Sequence, residues 1–122
     1  MSNKPERIAA KLAHMEYQID TLRGSDKAVA YVGGGSLPCT RDEEITFQER
    51  CRAELAWAQG KTDAEVRTRI KEIEKDLRPG ILARKYGDMR GLSLDAVEAI
   101  RKIELLEVAL GTHPGLGKGS TK

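Results

Sequence analysis

The stretch that decides the fold is "SLDAVEAIRKIELLEVALG", Ser93 to Gly111. Ser93 suits an N-cap and Gly111 a C-terminal stop, so the segment between them reads as one helix. Its main apolar stripe is Ala96, Ala99, Ile100, Ile103, Leu106 and Leu110. A second stripe, Leu94, Val97, Leu105 and Val108, lies on the other side. A helix apolar on two sides is packed on two sides. One small bundle can hardly cover both stripes, so the second is expected to be an oligomer or partner interface.

Upstream, "RPG" at Arg78 to Gly80 breaks a preceding helix, and Ile81 to Arg90 forms a short helical connector. That preceding helix starts at "TDAE", with Thr62 as N-cap and Glu65 completing a capping box. Val66, Ile70, Ile73 and Leu77 form its seam, and Asp63–Arg67, Glu65–Arg69 and Glu74–Arg78 are acid-before-base pairs on its exposed faces. "TRDE" repeats the capping signal at Thr40 and Glu43, opening a helix that runs to about Gln59. Phe47, Cys51, Leu55 and Ala58 line one of its faces. Only Gly60 and Lys61 separate the two helices, which predicts an antiparallel hairpin over residues 40–78.

The first helix spans Pro5 to Arg23, with Ile8, Leu12, Met15, Ile19 and Leu22 as its seam and Gly24 as its stop. "KAVAYV", Lys27 to Val32, reads either as a short strand or as an extended linker. The linker is preferred, because a lone strand has no visible partner. The resulting plan is all-α, with four helices and coiled-coil-like seams. It divides into an N-terminal amphipathic helix (1–23), a glycine-containing linker (24–39), a helical core (40–111) and a tail (112–122). Within the core, a hairpin (40–78), a connector (79–92) and the C-terminal helix (93–110) follow in turn.

Composition agrees with helix: a third of the 122 residues are charged and only 4% are aromatic. A formal net charge of +2, with the two signs interleaved, does not by itself imply nucleic acid or an anionic membrane. No apolar run reaches the roughly 20 residues of a membrane span. Cys39 and Cys51 have neither CxxC spacing nor a disulfide framework, so a reducing, cytoplasmic setting is the expectation.

Several motifs compete with plainer readings. "GGGSLPCT" leads into a helix, so Gly33, Gly34, Gly35 and Ser36 form a candidate anion loop. No Gly-Lys-Ser/Thr follows and Pro38 removes a donor, which favours a hinge that frees the first helix to choose its packing partner. "GLGKGS" near the C-terminus fails as a phosphate loop, since Thr112 stands where the first glycine is needed. Cys39 lies one residue before a helix cap, where the macrodipole lowers a thiol pKa, but only His14 and His113 could serve as its base. Cys51 reads as a core residue, and two histidines with two cysteines lack the spacing of a zinc site.

Gly87, Gly91, Leu92, Val97 and Ile100 fit the offsets of a degenerate helix-turn-helix around residues 83–103, with Arg78, Arg84, Lys85 and Arg90 as candidate nucleic-acid contacts. Against it, the presumed recognition helix is acidic and too apolar to lie exposed in a groove. The leading expectation is therefore a non-enzymatic α-helical protein–protein interaction protein, self-associating or serving as a subunit of a larger assembly, without a cofactor. A small DNA-binding regulator and a small anionic-ligand binder are the alternatives.

Overall fold

The computed structural model describes residues 3–26, 29–31 and 38–113. They are mostly helical, with a small two-stranded sheet. The elements in order are α1 (Lys4–Arg23), β1 (Val29–Tyr31), β2 (Pro38–Thr40), α2 (Arg41–Trp57), α3 (Asp63–Lys75), α4 (Pro79–Leu82) and α5 (Leu94–Leu110). Among the described residues no helix is long and apolar enough to cross a membrane.

Each long helix begins where its capping chemistry says it should. Thr40 accepts from the Glu43 N–H at 3.0 Å while Glu43 accepts from the Thr40 N–H at 2.8 Å. Thr62 and Glu65 repeat the arrangement at 3.1 and 2.9 Å. Asn3, which the sequence reading passed over, does the same for α1 with Glu6. Ser93 caps α5 by accepting from the Ala96 N–H. Gly111 ends α5 in the left-handed region at φ 79°, and a Cβ there would meet the Arg7 guanidinium at 3.0 Å.

α5 is the centre of the fold and packs on α1, α2 and α3. Leu55, Val66, Ile100, Ile103 and Leu106 are completely buried, with Ile8, Met15 and Phe47 nearly so. α3 lies along α5 and not closely along α2, so the expected hairpin is splayed open onto the last helix. A bidentate pair still ties α2 to α3: Arg69 donates to both oxygens of the buried Glu54 at 2.7 and 2.9 Å. Here the sequence reading needs correction, since Arg69 was assigned to Glu65. Asp63 likewise pairs with Lys4 of α1 at 2.9 Å. Glu74–Arg78 does not form, because α3 stops at Lys75 and Arg78 is already the N-cap of α4.

The linker reading is also corrected in part. Val29–Tyr31 pairs antiparallel with Pro38–Thr40, in the register Val29↔Thr40, Ala30↔Cys39 and Tyr31↔Pro38. Its partner was concealed in the three residues that also deliver the α2 cap. Pro38 is tolerated because each strand of a two-stranded ribbon has a free edge. α1 packs on α2 and α5 of its own chain.

Candidate functional site

An open groove of about 680 Å³ runs between α1, α2 and α5. Its floor is apolar: Met15 from α1, Phe47 and Cys51 from α2, Leu105 and Val108 from α5. The seam of α1 supplies this geometry. Ile8, Leu12, Met15 and Ile19 are buried, so the residues one position earlier along the last turns, Lys11, His14 and Gln18, form a polar shoulder. On the facing wall Arg101 and Glu104 occupy the same rim of α5.

The electrostatics of the two walls differ. Arg101 donates to Glu104 Oε1 at 2.7 Å, and Glu104 Oε2 accepts the Tyr86 N–H at 3.0 Å, so both carboxylate oxygens are engaged. Arg101 Nε is buried without a hydrogen-bond partner among the described residues. Across the groove Lys11 is half-buried and forms no ion pair among the described residues. Arg7 turns to the end of α5, donating to the Val108 and Ala109 carbonyls at 3.2 and 3.1 Å. Below, Gln48 donates to Glu44 at 2.7 Å, both buried.

The stripe read as an interface divides in two. Val97 and Leu105 are 2% and 8% exposed, covered within the chain because three helices surround α5. Leu94 and Val108 are half-buried. Leu105 and Val108 border the groove, whereas Leu94 borders a smaller recess beside Phe47, Arg50 and Glu98.

Three of the four candidate nucleic-acid contacts are engaged within the chain, although Arg90 stays exposed. Arg84 donates to the Asp88 and Arg90 carbonyls at 2.6 and 2.8 Å, and Arg90 pairs with Asp88 at 2.6 Å. The Arg90 side chain, followed by its N–H, holds the Asp88 carboxyl below its ordinary value. Lys85 pairs with Glu107 at 2.9 Å; burial acts to lower its pKa, but the Glu107 carboxylate prevails and raises it. Arg78 is exposed and forms no ion pair among the described residues. The helix-turn-helix lacks its first helix: α4 ends at Leu82, Tyr86 adopts φ 66° and Gly91 φ 85°. Its second helix is the buried α5.

Sequence reasoning missed the latch that holds this connector. Tyr86, in a backbone region uncommon for a side-chain-bearing residue, is fixed from three directions. Its N–H goes to Glu104, its hydroxyl to Glu107, and its ring stands edge-on to His113 at 5.3 Å. Burial, then the Glu107 hydrogen bond, raises the phenol pKa. The available signal was Glu104 and Glu107, two carboxylates one turn apart beside apolar stripes.

Cys39 is half-buried, and burial followed by Glu44 and Glu43 pushes its thiol up, opposite to what the macrodipole argument implies. Burial, reinforced by Glu98, pushes Cys51 up to about 12. Among the described residues no group of three His, Cys, Asp or Glu could hold a metal ion. Gly33, Gly34, Gly35 and Ser36 lie outside the described residues. No family model, curated protein or solved structure matches the chain.

Proposed function

We propose that this chain is a non-enzymatic helical interaction protein, a subunit of a larger assembly that receives a helical segment of a protein partner in the groove between α1, α2 and α5. In this reading the four long helices form one scaffold, with α5 as its axis. The observation that carries the proposal is the groove itself: an apolar floor open along one side, with polar shoulders contributed by two helices. That combination suits the apolar stripe of an amphipathic helix. Two of the four residues first read as an interface, Leu105 and Val108, border it.

The test uses a panel of amphipathic helical peptides with apolar residues at i and i+4, measured by fluorescence anisotropy. Ala10 is exposed on the groove wall, so Ala10→Trp fills the opening without entering the core. Some member of the panel should bind the wild-type chain and lose at least tenfold in affinity to Ala10→Trp. Binding by none, or binding that Ala10→Trp leaves unchanged, defeats the proposal. A light-scattering mass that doubles in the wild type and returns to the monomer in Ala10→Trp would instead make the occupant a second copy.

A further inference from the structure

The geometry points to an acidic partner: the groove is built for a segment that sets carboxylates against Lys11 and Arg101 while its apolar side chains meet Met15, Phe47, Leu105 and Val108. This inference rests on the docking reading and adds the chemistry of what docks. Two observations carry it. Lys11 is half-buried and without an ion pair among the described residues, and the groove lining sets Arg7, Lys11 and Arg101 against a single carboxylate, Glu104. Glu104, the only carboxylate on the groove walls among the described residues, has both oxygens already committed to Arg101 and the Tyr86 N–H.

A docked segment removes water from Lys11. Desolvating a cation without a counter-group is costly, so a neutral or basic occupant would leave Lys11 in deficit. An acidic occupant would supply the counter-charge. The groove length also favours a helix. On α1 it extends from Arg7 to Gln18, about 16 Å at 1.5 Å per residue, which accommodates about three turns of a partner helix. One apolar edge of that helix would meet the floor, and carboxylates flanking the edge would face the two walls.

The deciding experiment compares two libraries of helical peptides with identical apolar positions, one with glutamate and one with lysine at the flanking positions. Both are measured against the wild-type chain, Lys11→Glu and Ala10→Trp. The acidic set should bind the wild type at least tenfold tighter than the basic set. Lys11→Glu should weaken the acidic set roughly 3- to 10-fold, the size of one partly exposed charge pair reversed, and added salt should reduce the difference. Equal binding of both sets, still blocked by Ala10→Trp, overturns the acidic chemistry while the groove stands. Binding of neither set, or binding indifferent to Ala10→Trp, overturns the docking reading and the inference together.

Discussion

Cys51 shows how a single residue records its surroundings. It sits at 2% exposure among α2 and α5 side chains, and its thiol pKa is displaced from 9.0 to about 12. A raised thiol pKa means that the folded state favours the protonated form. The associated stability is therefore present below pH 9 and lost as pH rises toward about 12. The alkaline fall in urea-unfolding stability should accordingly be steeper in the wild type than in Cys51→Ala. Thiol labelling near neutral pH supplies a second readout. Cys39 should react slowly, because burial and Glu44 oppose its thiolate, and Cys51 should react only on unfolding. Two fast-reacting thiols would contradict both assignments.

Between elements, the contact to probe is the Glu54–Arg69 pair joining α2 to α3. Glu54 is 8% exposed and receives two charge-assisted bonds from Arg69, whose own side chain is partly open to water. Arg69→Ala leaves a buried carboxylate without its guanidinium and should cost about 1–2 kcal/mol in urea unfolding, after allowance for solvent around the arginine. Glu74→Ala should stay within about 0.5 kcal/mol, because its expected partner Arg78 lies beyond the end of α3. Equal costs would mean that α2 and α3 are not joined through this pair. The contrast also shows what helical spacing does and does not determine. Periodicity brings Glu65 and Arg69 to the same face of one helix, but an arginine beside a neighbouring buried carboxylate gains more there than on the exposed surface.

For the molecule as a whole, the position of α5 sets the distribution of stability. Leu106 is completely buried where the helices meet, whereas Val108 is half-buried on the groove. Leu106→Ala should therefore cost about 2–5 kcal/mol, through lost burial and the cavity left behind. Val108→Ala should cost under about 1 kcal/mol, because it removes less buried surface. Thermal or urea unfolding of the two variants checks this, and comparable losses would remove α5 from the centre of the fold. The same placement divides its second stripe. Val97 and Leu105 lie beneath neighbouring helices, whereas Leu94 and Val108 stay half-buried.

Local chemistry was legible in the amino-acid sequence. Thr40, Thr62 and Ser93 cap their helices, Gly111 ends the last one, and most of the α1 and α5 seams is buried, because caps, glycine conformations and helical periodicity act within a few residues. What only the tertiary structure decided is which faces meet. The β1–β2 pairing, the Arg69–Glu54 bridge, the Tyr86 latch and the groove with Lys11 and Arg101 on opposite walls all join residues distant along the chain. Each depends on how the helices pack around α5, and residue spacing within a single helix carries no information about that.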